Sequence, residues 1–220
     1  MGIAVVTGAN RGIGLELVRQ LVARGTETVA VCRRRAAELE ALGVQVESDC
    51  DVTHPDTWDR LASRFARTDI DLLVQNAGML AEDGLGDVRP EDVRAQFELN
   101  ALAPLFLTRA LRSRLRAGAK VALITSRMGS MADNGSGGYY GYRMSKAALN
   151  AAGVSLAIDL KAQGVAVAIL HPGAVRTEMT GGSGMIDADE SVRGLLRRID
   201  ELTLDQSGRF LHQNGQPLPW

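Results

Sequence analysis

The sequence predicts an α/β protein in which a doubly wound parallel sheet carries helices on both faces. Short apolar runs alternate with longer amphipathic stretches along the whole chain, as expected when each strand is followed by a helix. The run Val165–Leu170 is apolar throughout, which is typical of a parallel strand covered on both faces. The chain has 220 residues and neither an internal repeat nor a linker, so we expect a single domain over residues 1–220.

Composition excludes several classes of protein. The chain carries 25 Lys and Arg against 26 Asp and Glu, a net charge of −1 that gives no reason to expect a nucleic-acid or membrane-surface partner. Cys32 and Cys50 cannot form a disulfide framework of the kind that staples small secreted proteins. No apolar run approaches the ~18 residues of a membrane span, and Gly2–Val6 is not a signal peptide. We therefore expect a cytoplasmic protein.

The first half of the chain gives four predicted strands separated by three helices. Ile13, Leu17 and Leu21 share one side of the first helix, Gly43 is suited to end the second, and Pro55 fits the first turn of the third. The predicted strands are Ile3–Val6, Thr28–Cys32, Val44–Glu47 and Ile70–Val74; the predicted helices between them are Ile13–Arg24, Ala36–Leu42 and His54–Ala66.

The second half continues the alternation. Helical periodicity runs over Pro90–Arg116, where Pro104 indicates a bend or a helix start. The remaining predicted elements are a strand Val121–Thr125, a helix Tyr142–Gln163, the strand Val165–Leu170, a helix Ser191–Leu202 and a short strand Arg209–His212. The glycine-rich stretches Asp133–Gly138 and Thr180–Gly184 are predicted to be mobile loops.

A glycine-rich turn follows the first strand. It contains Gly8, Asn10, Arg11, Gly12, Ile13 and Gly14. Glycines allow a tight turn and a close backbone approach, so the N-terminus of the next helix can hold a phosphate on its free N–H groups. The position of this turn, between a strand and a helix, predicts a Rossmann-type dinucleotide site.

The residues after the second strand predict which dinucleotide binds. An NAD site usually has an acidic residue here that binds the adenosine ribose, and this chain has Arg33 instead, with Arg11 in the glycine turn. Two guanidinium groups suit a 2′-phosphate, which favours NADP(H). Asp51 and Val52 follow the third strand and are expected near the adenine. The polar turn Asn76-Ala77-Gly78 follows the fourth.

Tyr142 and Lys146 lie four residues apart on one predicted helix face. A phenol with a pKa near about 10 is a poor acid or base at neutral pH, and a nearby ammonium favours the phenolate and lowers that pKa. Of the three tyrosines, only Tyr142 has a lysine at this spacing. The pair therefore predicts general acid–base chemistry. The three histidines lack metal-ligand spacing, and no metal site is predicted.

With these motifs the sequence resembles the short-chain dehydrogenase/reductase family over nearly its whole length. The resemblance implies a cofactor half at about 1–120 and a catalytic half at about 121–220. It implies that Asn100, Ser126, Tyr142 and Lys146 are catalytic, that Tyr142 and Lys146 also bind cofactor, and that Pro172, Gly173, Val175 and Thr177 grip the nicotinamide carboxamide. Ser126-Arg127-Met128-Gly129-Ser130 and the stretch Gly208–Trp220 resemble C-factor-like proteins and sniffer-type carbonyl reductases.

Two departures from the family pattern leave questions open. The spacing from Ser126 to Tyr142 is longer than usual, which we attribute to extra residues in Asp133–Gly138, with Ser130 as the alternative catalytic serine. The stretch after Thr177 is short, which predicts an open site for a bulky or loosely chosen carbonyl substrate.

The resemblance implies an NADPH-dependent carbonyl reductase acting on a ketone, an aldehyde or a quinone-like carbonyl. In this interpretation Tyr142 donates a proton, Ser126 binds the carbonyl oxygen, Lys146 lowers the pKa of Tyr142 and holds the nicotinamide ribose, and Asn100 positions a water. A nucleotide-bound signalling protein of the C-factor type and an NAD-dependent alcohol dehydrogenase are the alternatives. The resemblance also implies a homodimer or homotetramer.

Overall fold

The computed structural model describes residues 2–220 and contains one seven-stranded sheet. Every pair of neighbouring strands is parallel, and the strand order is β3-β2-β1-β4-β5-β6-β7. The strands are β1 Ile3–Thr7, β2 Thr28–Val31, β3 Gln45–Glu47, β4 Ile70–Gln75, β5 Leu115–Ile124, β6 Ala166–His171 and β7 Phe210–His212. The helices are α1 Gly12–Ala23, α2 Ala37–Ala41, α3 Pro55–Arg64, α4 Pro90–Phe97, α5 Ala103–Leu111, α6 Tyr140–Asp159 and α7 Ala188–Glu201.

Alternating strand residues form two cores, one on each face of the sheet. Val5 packs with side chains of α3, α5 and α6, whereas its neighbour Val6 packs with side chains of α1, α2 and α7. This alternation follows from the period of two in a strand. Because both faces are covered, the strands are apolar throughout rather than on one side only. The predicted doubly wound α/β fold is confirmed.

The order in which the chain adds strands to the sheet reverses between β1 and β4. From β1 it proceeds outward to β3, and it then returns to place β4 on the other side of β1. Loops leaving β1 and β4 therefore diverge to opposite faces and leave a crevice at the carboxyl ends of these strands. Ligands of doubly wound sheets bind in such a crevice.

The helical structure predicted over Pro90–Arg116 extends too far, because the chain becomes a strand at Leu115, whereas the helix start that Pro104 indicates is confirmed. The structure divides the helical part into α4, a π-helical turn Glu98–Leu102 and α5, with Pro104 in the first turn of α5. β5 then begins at Leu115 instead of the predicted Val121. Gly118 has a φ of +88°, and the ladder with β4 shifts between Ile70 and Leu72, so the early part of β5 is an irregular extension. It lacks the continuous apolar run that identifies a buried strand.

Other boundaries differ by a few residues. The helix predicted over Tyr142–Gln163 begins two residues earlier, at Tyr140, and ends at Asp159, after which a short 3₁₀ turn follows. The last helix begins at Ala188 rather than Ser191 because Asp189 and Glu190 form an acidic first turn that suits a helix N-terminus. Across residues 2–220, no helix combines the length and the apolar character needed to cross a membrane.

Candidate active site

A cleft of about 480 Å³ opens at the carboxyl ends of the strands, in the crevice between β1 and β4. Sixteen of the predicted cofactor residues line it: Gly8, Asn10, Arg11, Gly12, Ile13, Gly14, Arg33, Asp51, Val52, Asn76, Ala77, Gly78, Tyr142, Lys146, Pro172 and Thr177. The predicted glycine turn, the ends of three further strands and the Tyr–Lys helix therefore meet at one site.

The turn between β1 and α1 requires glycine at several positions. Gly8 and Gly12 have φ values of +63° and +53°, in the left-handed region that other residues rarely adopt. A Cβ atom on Gly14 would lie 2.2 Å from the carbonyl oxygen of Gly8. The backbone is therefore folded tightly over the start of α1, whose free N–H groups face the cleft end of the sheet.

Two polar side chains join this turn to the end of β4. The Thr7 hydroxyl accepts hydrogen bonds from the backbone N–H groups of Asn76 and Ala77 at 3.0 and 3.1 Å. The Asn76 amide donates to the carbonyl oxygens of Thr7 and Gly8 at 3.0 and 3.2 Å. Asn76 lines the cleft as predicted, but both amide hydrogens are already used to hold the two turns together.

Exposed positive charge marks the end of the cleft next to β2. Arg33 and Arg34 line the cleft with exposed side chains. Arg11 also lines the cleft and forms an ion pair with Glu178 at 2.7 Å. Both partners are more than half exposed, at 57% and 73%, so this pair contributes little to stability.

Asp51 closes its own turn at this end of the cleft. Its carboxylate accepts from the backbone N–H and the hydroxyl of Thr53 at 3.0 and 2.7 Å. Burial alone would raise the pKa of Asp51, but these hydrogen bonds and the charge of Arg33 leave the pKa below its ordinary value. Asp51 is therefore an ionised residue of the cleft lining, and one of its carboxylate oxygens is hydrogen-bonded to Thr53.

Tyr142 and Lys146 are buried on one face of α6, at the other end of the cleft. The Lys146 Nζ donates to the carbonyl oxygen of Ile124 at 2.9 Å and lies 5.8 Å from the centre of the Tyr142 ring. Burial lowers the pKa of Lys146 to about 8, because an ammonium loses its hydration there.

Tyr142 does not show the lowered pKa that the Tyr–Lys spacing predicts. Burial raises the pKa of the Tyr142 phenol above its ordinary value, and a hydrogen bond with Ser126 only partly opposes this shift. The cost of burying a phenolate exceeds the favourable effect of neighbouring groups. Tyr142 is therefore a neutral phenol at neutral pH.

The two candidate serines have different surroundings. Ser126 is buried, lies beside Tyr142, and accepts the Met128 N–H at 3.1 Å. Ser130 is also buried, but its hydroxyl donates to the carbonyl oxygen of Trp220 at 3.1 Å and accepts the Asp133 N–H at 3.1 Å. The geometry thus brings Ser126, rather than Ser130, to the tyrosine.

Asn100 lies in the π-helical turn and is fully buried. Its amide donates to the Met79 carbonyl oxygen at 2.9 Å and to the Ser145 hydroxyl at 3.0 Å, and its oxygen accepts the Met79 N–H at 2.9 Å. Both amide hydrogens are therefore engaged with protein groups and cannot donate to a water. The side chain connects the π-helical turn to α6 and to the segment after Gly78.

The segment after β6 contributes fewer residues than the sequence predicts. Pro172 and Thr177 line the cleft, but Gly173 and Val175 do not. Val175 is buried and pairs with Ile186 in an isolated β-bridge, and a Cβ on Gly173 would lie 2.9 Å from the Ile186 side chain. Both residues therefore support the fold of this loop from behind.

Sequence reasoning missed ten lining residues, which are Val31, Cys32, Arg34, Cys50, Met79, Leu99, Ile124, Thr125, Glu178 and Met179. Most are immediate neighbours of predicted site residues or strand ends, which is the one signal that could have found them. Cys32 and Cys50 are free and buried, and burial raises the pKa of both thiols, which keeps them protonated.

Comparisons with known proteins agree with this geometry. The chain is 40% identical over its full length, and over the full length of the relative, to a 1-hydroxy-2-glutathionyl-2-methyl-3-butene dehydrogenase of Rhodococcus. It is 48% identical to the C-signal protein of Myxococcus xanthus over 69% of this chain and 93% of that protein.

Solved structures give the same result for the fold. The carbonyl reductase Sniffer of Drosophila melanogaster superimposes with a TM-score of 0.94 at 31% identity and covers 100% of both chains. An NADPH-bound carbonyl reductase from chicken fatty liver gives a TM-score of 0.93 at 31% identity, with 100% of this chain and 99% of that chain covered. The short chain dehydrogenase family profile matches residues 2–185, and the protein is an oxidoreductase of the short-chain dehydrogenase/reductase family that is similar to C-factor and sniffer-type members.

Proposed function

We propose that this protein is an NADPH-dependent carbonyl reductase in which Tyr142 is the proton donor. The observation that carries the proposal is the arrangement of the cleft. A buried Tyr142 lies beside Ser126 and Lys146 at one end, Arg33 lies at the β2 end, and Arg11 lines the same cleft. The likeness to an NADPH-bound carbonyl reductase supports the same reading.

The residues present fit this cofactor. The glycine turn is folded tightly against the start of α1, and the free N–H groups of that helix end suit a pyrophosphate. Arg33 has no ion pair among the described residues and is available for a 2′-phosphate. Pro172 and Thr177 would contact the nicotinamide end. When bound, NADPH supplies the hydride.

The protein's own residues would then bind the substrate and provide the proton. A neutral Tyr142 can donate its phenolic proton to the carbonyl oxygen as negative charge develops there, and Ser126 hydrogen-bonds the same oxygen. Lys146 would hold the nicotinamide ribose and favour the phenolate that remains. We assign the relay water to the backbone of the π-helical turn at Asn100, because both hydrogens of the Asn100 amide are engaged.

Two observations keep alternatives in view. The Rhodococcus relative is named for a dehydrogenase, which favours alcohol oxidation as a second candidate. The likeness to C-signal favours a signalling role in which turnover is incidental. The buried Ser126, Tyr142 and Lys146 argue for a working site, because burying such polar groups costs stability. The absence of an acidic residue directly after β2 argues against NAD.

The test is a screen of NADPH oxidation over ketones, aldehydes and quinones, run beside thermal stabilisation by NADPH and by NADH. We expect turnover of at least one carbonyl class and a larger rise in Tm with NADPH, because the ligand that binds more tightly stabilises more. A larger rise in Tm with NADH would contradict the cofactor assignment. NADP+ reduction by alcohols without carbonyl turnover would favour the dehydrogenase.

A further inference from the structure

A five-residue segment, Met79–Asp83, runs from the cleft to the start of α6, and we name it the strap. It follows the Asn76-Ala77-Gly78 turn and belongs to no helix or strand. Met79 lines the cleft itself. The strap therefore connects the cofactor cleft with the helix that carries Tyr142.

Every second residue of the strap is held by hydrogen bonds. Asn100 bonds to both the N–H and the carbonyl oxygen of Met79 at 2.9 Å, and Gln96 accepts the Ala81 N–H at 3.0 Å. Asp83 is held by α6, because its carboxylate accepts the backbone N–H groups of Tyr140 and Gly141, the latter at 3.2 Å. These three attachments fix an otherwise irregular segment over its whole length.

Two of the attachments come from amides on one side of a helix. Gln96 and Asn100 are four residues apart, each with 0% of its surface exposed. On the other side they face α6: a Cβ on Gly141 would lie 2.4 Å from the Gln96 Nε2, and the Asn100 amide donates to Ser145 at 3.0 Å. Gly141 and Ser145 immediately precede Tyr142 and Lys146.

Burying the Gln96 amide lowers the stability of the fold. The Gln96 Nε2 is buried without a hydrogen-bond partner among residues 2–220, so an apolar side chain of similar length would avoid that cost. The amide oxygen accepts the Ala81 N–H, and the amide nitrogen lies against Gly141 at the start of α6. Gln96 therefore holds these two segments in position, and this role explains the amide better than a contribution to stability does.

We propose that Gln96 is a positioning residue for the reaction. Together with Asn100 it sets the strap against α6, so that the wall at Met79 and the Tyr142 phenol keep a fixed separation across the nicotinamide end of the cleft. The inference rests on the proposed function, since it concerns the same reaction. Gln96 acts through Ala81 and α6 and touches neither substrate nor cofactor.

The test compares Gln96→Met with Gln75→Met. Gln75 is a matched control, because it is also a buried glutamine but its amide donates to Pro104 and Thr108 of α5 and makes no hydrogen bond to the strap. For Gln96→Met we expect kcat for carbonyl reduction to fall about tenfold, with the KM for NADPH within twofold of the wild-type value. We expect Gln75→Met to keep kcat within twofold.

Hydrogen exchange gives a readout that does not depend on turnover. In Gln96→Met the amides of Met79 and Ala81 should exchange faster while the β-sheet stays protected, and in Gln75→Met they should not. Gln96→Glu, which retains an oxygen to accept the Ala81 N–H, should recover part of the lost kcat.

Two results would overturn the inference: an unchanged kcat in Gln96→Met, or an equal loss in both methionine variants, which would indicate general destabilisation. If the wild-type protein reduces no carbonyl with NADPH, the proposed function fails first. Faster exchange confined to the strap in Gln96→Met would still show that Gln96 holds it, so the two failures are distinguishable.

Discussion

The two ends of the cleft use charge in opposite ways. At the β2 end, Arg33 and Arg34 line the cleft and are exposed to solvent. At the α6 end, Tyr142 and Lys146 are buried, with pKa values shifted by that burial. Exposed charges act through weak, salt-screened attraction, whereas buried groups act through protonation states that the protein has set. The first arrangement suits recognition of a ligand, and the second suits catalysis.

The largest effect is expected at the buried end, from Lys146→Arg. A guanidinium keeps the positive charge but is larger, and the pocket fits a compact ammonium that donates to the carbonyl oxygen of Ile124. We expect kcat/KM for carbonyl reduction to fall by at least about 100-fold. Lys161→Arg is the control, because Lys161 is exposed beyond the end of α6. A fully active Lys146→Arg enzyme would contradict the assignment of catalysis to the buried end of the cleft.

A smaller effect is expected at the exposed end, from Arg33→Ala. Loss of one guanidinium from the proposed 2′-phosphate site should weaken NADPH binding roughly tenfold and leave NADH binding unchanged. Fluorescence titration at two salt concentrations measures this, and the effect should shrink at higher salt. Arg67→Ala, an exposed arginine outside the cleft lining, should change neither affinity. Equal weakening of NADPH binding and NADH binding would show that Arg33 does not contact the 2′-phosphate.

The pH dependence of stability should also distinguish the buried end. The pKa of Lys146 is about 8 in the folded protein and 10.5 for an ordinary lysine, so the unfolded chain binds this proton more tightly. The group therefore destabilises the fold at neutral pH, and this cost is lost as pH rises from about 8 towards 10.5.

Lys146→Met tests that sign. The variant should have a higher free energy of unfolding than the wild type at neutral pH, and the difference should shrink as pH rises through this window. Denaturant titrations of both proteins at several pH values measure it. A difference that grows with pH would contradict the lowered pKa.

The smallest effect is expected from Glu178→Gln. The carboxylate of Glu178 forms an exposed ion pair with Arg11, and such a pair contributes about 0–1 kcal/mol to stability. Releasing Arg11 should tighten NADPH binding by about two- to threefold, with no change for NADH. Glu190→Gln, which changes an exposed glutamate outside the cleft lining, serves as the control. Unchanged NADPH affinity in Glu178→Gln would show that Arg11 does not contact the 2′-phosphate.

Much of this architecture could be predicted from local patterns. The apolar runs locate the strands, and the spacing of Gly8, Gly12 and Gly14 locates the turn, because both depend on neighbouring residues. The π-helical turn at Glu98–Leu102 could not be predicted, since helical periodicity continues through it. The early part of β5 was missed because exposed strand residues carry no apolar signal.

Side-chain engagement could not be predicted either. The family resemblance implies that Asn100 belongs to the same site as Tyr142, but only the fold shows that the Asn100 amide donates to Met79 and Ser145. Val175 and Gly173 follow β6 as expected, and their packing against Ile186 depends on how the loop closes. The pKa of Tyr142 depends on burial, which a Tyr–Lys spacing does not reveal. Contacts between distant segments are the common cause.

The central claim is that the buried Tyr142 supplies the proton, and it is tested most directly by single-turnover NADPH oxidation in Tyr142→Phe with a carbonyl that the wild type reduces. Phenylalanine removes the hydroxyl and preserves the ring, so NADPH affinity should stay within about threefold while the rate falls by at least about 1,000-fold. Tyr140→Phe, two residues earlier and partly exposed, should react at the wild-type rate. A Tyr142→Phe protein that reduces the carbonyl at a wild-type rate would contradict the account.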